Sequence, residues 1–232
     1  MSAKASALVR ELKTRFVTTT VDVEVIGKPL SILKPRNSDD LISEADYVRD
    51  ERLPYWADVW PSSVILARRI ANDAGAGRSI LELGCGLGIV STTAMRSGFA
   101  VLASDYYEDA LCFTRANAWR NLGREPAARM IDWRALPEDI GTYDMVVAAD
   151  VLYELTYADL VADAIAAALA PRGTAIIADP GRVAVDQFIG ACSARGLTRV
   201  ERDTYPFVEG AIRQTITLYS IQRHVEHRVG TR

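Results

Sequence analysis

From about residue 64 onward the chain alternates two apolar patterns. Short apolar runs of strand length, "SILELG", "AVLASD", "ARMIDW", "DMVVAAD" and "TAIIAD", are separated by stretches whose apolar positions recur every three or four residues. The helical stretches are "SVILARRIANDA", "GIVSTTAMRSG" ended by Gly98, "DALCFTRANAWRNLG" with Asp109 as N-cap and Gly123 as stop, "YADLVADAIAAALAPRG" closed by Pro171 and Gly173, and "VAVDQFIGACSARG". "TRVERDTYPF" and "RQTITLYSIQR" then alternate like an antiparallel pair. This βαβ series predicts an α/β protein with a mostly parallel sheet covered on both faces, and ligands outside the carboxyl ends of its strands. The N-terminal part differs. "FVTTTVDVEVIGKPLSILKP" reads as two strands around a turn at Gly27 and Lys28, and "RNSDDLISEADYVRDERLPYW" as a polar connector.

Composition narrows the function classes. With 232 residues, 49% hydrophobic and 25% charged, one domain with a real core is expected. A formal net charge of -3 gives no bulk attraction to nucleic acid or an anionic membrane. No run approaches the ~20 apolar residues of a transmembrane helix, and the first residues lack a secretory signal pattern, so a cytoplasmic protein is expected. Cys85, Cys112 and Cys192 are too scattered for a disulfide framework or a CxxC metal site, and are expected as free thiols. His224 and His227 sit in a basic tail with no other ligand near, so no metal site is expected.

The candidate chemistry begins at "LELGCGLG", Leu81 to Gly88. Gly84, Gly86 and Gly88 lie between the first core strand and its helix, where bare backbone and a helix N-terminus can approach a ligand. A dinucleotide-binding turn would read GxGxxG, but Ile89 stands where its third glycine belongs. Glu82 immediately upstream opposes a pyrophosphate and suits a cationic amino-acid end. Asp105 closes the second strand, where a carboxylate accepts ribose hydroxyls. Together they describe S-adenosylmethionine. In "MIDW", Asp132 and Trp133 could bond and stack on adenine, though a tryptophan at a strand end is also ordinary core. "ADVLYE", Ala149 to Glu154, lacks both the Pro-Pro-aromatic run and the Pro-Cys pair of base methylation.

"LELGCGLG", "SDYYEDAL" with Asn117 in "RANAWRN", "IDW" and "DVLY" resemble the seven-strand protein methyltransferases of family 16, with their Asp/Glu-x-x-Tyr/Phe motif after strand four. The resemblance spans roughly residues 55 to 223. "PYWADVWPSS" is similar to the "PYWAxxWPGG" of the lysine methyltransferases of the electron-transfer flavoprotein β-subunit, with Ser62 and Ser63 in place of the glycines, and "ADPGR" to their "GDPGR". The C-terminal "ITLYSI" looks more like the chaperone-directed lysine methyltransferases. The resemblance implies a Rossmann-like, doubly wound seven-stranded sheet with an antiparallel C-terminal hairpin. The expected organisation is an N-terminal extension of helix, β-hairpin and connector over 1–55, a methyltransferase domain over 56–223 and a basic tail over 224–232.

Carried over by motif, Trp60, Gly84, Cys85, Gly86, Gly88, Tyr106 and Ala149 join Glu82, Asp105, Asp132 and Trp133 as cofactor residues. Asp150 and Tyr153 face the substrate amine as catalytic residues; the alternatives are a helix cap for Asp150 and a packing role for Tyr153. Trp56 is expected in the core. The leading expectation is N-methylation of a protein lysine. A small-molecule N-methyltransferase of the nicotinamide type and a non-catalytic cofactor-binding regulator share these motifs. A nicotinamide-dependent oxidoreductase is disfavoured by the glycine spacing and Glu82. Target, methyl count and oligomeric state have no sequence signature.

Overall fold

A computed structural model describes residues 3–41 and 54–223. Most of the charged connector, with residues 42–53, and the tail bearing His224 and His227 lie outside the described residues.

Helix α1 (Ala3–Arg15) leads into β1 (Thr18–Val23) and β2 (Leu30–Pro35), an antiparallel hairpin. Its turn centres on Ile26 and Gly27, both at positive φ (47° and 67°), one residue earlier than the sequence indicated. Lys28 closes the turn by donating its N–H to Val25 O. After a single 3-10 turn at Tyr55–Ala57 come α2 (Pro61–Ala71), β3 (Ser79–Leu83), α3 (Ile89–Arg96), β4 (Ala100–Asp105) and α4 (Glu108–Leu122). The chain continues through β5 (Ala127–Met130), β6 (Tyr143–Ala149), α5 (Tyr157–Ala168), β7 (Leu169–Asp179), α6 (Val185–Ala194), β8 (Arg199–Glu209) and β9 (Ile212–Gln222).

Seven strands form one sheet in the order β5-β4-β3-β6-β7-β9-β8, parallel through β7, with β9 antiparallel between β7 and β8. Alternate side chains enter different cores, as the period of two dictates. Ile80, Val101, Met145, Val147 and Ile176 pack on the face of α2, α3 and α4, whereas Leu81, Leu83, Val146, Ala148 and Ile177 pack on the face of α5 and α6. The strand order reverses between β3 and β6. Their carboxyl ends therefore part, and the crevice between them is the ligand position of this fold class.

The hairpin is fastened to this framework by two asparagines on α4. Asn117, fully buried, accepts Leu33 N–H at 2.7 Å and donates to Leu33 O at 2.9 Å and Leu87 O at 3.0 Å. One turn on, Asn121 does the same with the backbone of Ser31. Each amide mimics a neighbouring strand, satisfying backbone groups that burial would otherwise leave unpaired. Apolar packing adds to the fastening: Phe16 meets the fully buried Phe113 ring edge-on at 5.4 Å, and Val23, Leu30 and Ile32 share the core of α2 and α3.

Two expected boundaries shift. The helix expected to run to Pro171 stops at Ala168, because a residue before proline is driven out of the α region. Leu169 already pairs with Tyr143, across a bulge. Asp109 is a first-turn residue of α4, not its N-cap; Tyr107 holds that position with its side chain unused as a cap, and Asp109 pairs with Arg15.

Candidate active site

The crevice encloses about 980 Å³, open solvent included. Trp60, Glu82, Gly84, Cys85, Gly86, Asp105, Tyr106, Asp132, Trp133, Ala149, Asp150 and Tyr153 all line it, so the tertiary fold brings twelve of the thirteen expected positions to one cavity.

The glycine turn forms its floor. Gly84 and Gly86 have φ of 68° and 52°, and a Cβ on Gly84 would lie 3.2 Å from Val151 Cγ1 and 3.6 Å from the Trp133 ring. Here bare backbone and close approach are both required. Gly88 is the exception among the expected residues. It does not line the cavity, and a Cβ there would meet Thr114 of α4 at 2.7–2.9 Å. Its glycine is demanded by helix–helix packing, since α3 starts from it at φ 77°.

Two carboxyls are buried in the floor. Glu82 accepts a short hydrogen bond from Ser91 Oγ, and burial pushes its pKa up to about 8. Asp105 accepts Gly86 N–H at 2.9 Å and Tyr107 N–H at 3.1 Å; burial raises its pKa and those donors oppose the rise. Asp105 thus shapes the glycine turn as well as facing the cavity. Cys85 is inert by the same physics, since burial drives its thiol far above the ordinary value.

On one side β5 ends at Met130 and Ile131 N–H donates to Asp105 O, so "IDW" is a loop rather than a strand. Asp132 pairs with Arg134, whose guanidinium covers the Tyr106 ring at 5.4 Å. The indole N–H of Trp133 is buried without a partner among the described residues. A continuous series of edge-to-face rings roofs the cavity: Trp60 to Tyr55 at 6.0 Å, Tyr55 to Tyr153 at 5.1 Å, Tyr153 to Tyr157 at 4.9 Å and Tyr157 to Trp133 at 5.7 Å. Sequence reasoning did not select Tyr55 or Tyr157; only the closed fold joins residues 55 and 157. Trp56 packs on Phe113 and Phe16, as expected, and also lines the cavity.

Asp150 closes the β6 end. Its φ is 59°, left-handed in a non-glycine residue, which costs about 1 kcal/mol and marks a position the surroundings enforce. Its carboxylate, 3% exposed, accepts Arg182 Nε at 2.6 Å and Ser62 Oγ at 3.1 Å. It does not cap a helix: α5 begins seven residues later, with Thr156 at its N-cap position. Arg182 and Ser62 were not selected from sequence as site residues. Their only signal was their place in "ADPGR" and "WPSS".

A doubly wound sheet, a bare glycine turn at its switch point and buried carboxyls on β3 and β4 define a nucleoside-cofactor enzyme of the α/β class. The chain belongs to the methyltransferase domain family, whose model matches residues 63–227. It is 32% identical over 133 residues to the electron transfer flavoprotein beta subunit lysine methyltransferase of Danio rerio, covering 56% of this chain and 51% of that protein. It is 30% identical to the protein N-lysine methyltransferase METTL21A of Xenopus tropicalis, covering 45% and 51%. The chain thus spans about half the length of these relatives. Magnesium protoporphyrin IX methyltransferase of Synechocystis, solved with bound S-adenosylmethionine, shares the fold at a TM-score of 0.55 and 18% identity, covering 78% of this chain and 86% of that one. S-adenosylmethionine is the cofactor, and the cleft fits it: bare glycines where a Cβ would intrude, two buried carboxyls, and an indole N–H with no partner. Among the described residues no helix is long and apolar enough to cross a membrane, and no cluster of His, Cys, Asp and Glu could hold a metal.

Proposed function

We propose that the protein is a protein-lysine N-methyltransferase. The carrying observation is Asp150, a buried carboxylate held in a strained conformation that lines, with Tyr153, the same cleft as the glycine turn. A carboxylate oxygen among aromatic rings can accept an N–H of an ammonium while the ring faces attract its charge. A nicotinamide ring nitrogen arrives uncharged and has no N–H to donate to such a carboxylate. The similar relatives named as lysine methyltransferases support the same reading.

The cofactor residues divide by position. Glu82, Gly84, Cys85 and Gly86 would hold the amino-acid part, Asp105 and Tyr106 the ribose, and Asp132 and Trp133 the adenine, while Trp60 and Ala149 line the same cavity as Asp150. When bound, the cofactor would supply a sulfonium methyl group for transfer to the amine nitrogen. The chain's own work is positioning. Asp150 receives the ammonium and Tyr153 confines it under the aromatic roof. The ammonium proton leaves to water before transfer, a step costing ~4 kcal/mol at pH 7.5 for an unperturbed lysine. The aromatic roof limits water at the reacting nitrogen. A reducing, cytoplasmic setting fits the three free cysteines, two of them buried.

Incubation with tritiated S-adenosylmethionine and a proteome extract, resolved by gel, tests the reading. A discrete labelled protein band that base hydrolysis yields as methylated lysine supports it. Label confined to small molecules, or no label, overturns it in favour of the nicotinamide type or a regulator.

A further inference from the structure

The loop after β7 is built to deliver one guanidinium to Asp150. Asp179, fully buried, accepts the N–H groups of Gly181 at 2.7 Å and Arg182 at 2.6 Å through one oxygen. Pro180 and Gly181, at φ 94°, turn the chain inside that clamp. Arg182 then reaches back across 32 positions to Asp150 Oδ1, its guanidinium carbon 5.5 Å from the Trp60 ring centroid. Backbone bonds lock the two loops together: Asp150 N–H donates to Ala178 O at 2.9 Å, and Ala184 N–H to Leu152 O at 3.3 Å.

This pairing changes the chemistry available at Asp150. A lone carboxylate binds an ammonium but holds it protonated, opposing the loss of the proton that frees the lone pair. A carboxylate already paired with a guanidinium presents almost no net charge, yet keeps lone pairs for an N–H. We propose that Arg182 is a positioning residue that neutralises Asp150, so that an amine seated there gives up its proton near neutral pH. The proposal rests on the lysine N-methylation reading.

Other charged and titratable groups face this pair. Asp179 stands behind it on β7, its pKa raised by burial. Asp58, before α2, is itself paired with Lys34. Glu82 and Asp105 line the cofactor side, and Tyr55, Tyr153 and Tyr157 the roof. Because Glu82 titrates at about 8, the measurement must be made with cofactor saturating.

The experiment uses the labelled band purified as acceptor, with kcat followed from pH 6.5 to 10 at saturating cofactor and acceptor, conditions in which the profile reports groups in the complex. Arg182→Met should move the rising limb upward by about one unit or more, leaving the rate about tenfold lower at pH 7.5 and largely recovered at pH 9.5. Arg182→Gln, which keeps a hydrogen-bond donor without the charge, should move it equally. Arg182→Lys should hold the limb at its wild-type position. Arg182 is partly exposed, and retained cofactor affinity checks that each variant is folded. Equal loss at every pH, or an Asp179→Asn variant that moves the limb as far, would overturn the proposal. If the wild-type protein labels no band, the lysine reading falls and takes this proposal with it; a labelled acceptor with an unmoved limb removes the proposal alone.

Discussion

Ser91, in the first turn of α3, donates its hydroxyl to the buried carboxyl of Glu82 on β3, and despite its donors burial still lifts the Glu82 pKa to about 8. Near neutrality the carboxyl is therefore mostly protonated until a cation arrives. Binding of the cofactor's ammonium should ionise it and release a proton, about 0.9 per site at pH 7 and little above pH 9. Calorimetry in buffers of different ionisation enthalpy measures this, and Glu82→Gln should abolish the buffer dependence.

The same shift fixes a sign for stability. The folded pKa lies above the ordinary carboxyl value of 4.5, so the unfolded chain loses its proton first as pH rises. Stability from this group is present in full below pH 4.5 and is lost progressively up to about pH 8. Urea melts of wild type and Glu82→Gln should diverge across that window, the variant gaining relative to wild type as pH increases.

Gly84 and Gly88 of the turn should separate by function. Gly84→Ala places a methyl against Val151 and the Trp133 ring, and should weaken cofactor binding at least tenfold with about 1 kcal/mol of stability lost to the positive φ. Gly88→Ala drives a methyl into Thr114 and should cost 2 kcal/mol or more, roughly as overpacking does. Paired binding and denaturation curves distinguish them.

Asn117→Ala removes all three hydrogen bonds of a fully buried amide and strands the backbone of Leu33. A loss of about 3 kcal/mol is expected. Because Leu87 O belongs to the glycine turn, cofactor affinity should fall as well. Denaturant midpoints and cofactor titration report the two effects.

Asp150→Asn keeps the shape of the side chain, removes the charge that pairs with Arg182 and replaces one oxygen that could accept the amine with a donor. Turnover on the labelled acceptor should fall at least tenfold, about 1.4 kcal/mol in barrier. Cofactor affinity should stay within about twofold. Tyr153→Phe keeps both ring contacts and should retain most of the rate if the ring, not the hydroxyl, confines the amine.

Much was legible because it is written in local periodicity. The alternation of "AVLASD" with "DALCFTRANAWRNLG" gave β4 and α4 almost to the residue, since a strand's period of two and a helix's period of 3.6 need no distant partner. The floor of the site was legible for the same reason: Glu82, Gly84, Gly86 and Asp105 lie at strand ends, and strand ends are read from the pattern. Helix ends were less secure where another residue competes. Asp109 looks like a cap, but Arg15, from a helix 94 positions away, claims its carboxylate.

What the sequence by itself determined is therefore the doubly wound sheet and the kind of ligand its switch point accepts. The tertiary structure alone decided what surrounds Asp150 and Tyr153. Tyr55, Tyr153 and Tyr157 become one roof only when the segment before α2 folds over the β6 end, and Arg182 meets Asp150 only because β6 and β7 lie side by side. It also sets Gly88 against Thr114 of α4, outside the cavity lining. The physical reason is common to these cases. A ring contact, an ion pair or a helix crossing depends on distances between residues far apart in the chain, and no local pattern encodes those distances.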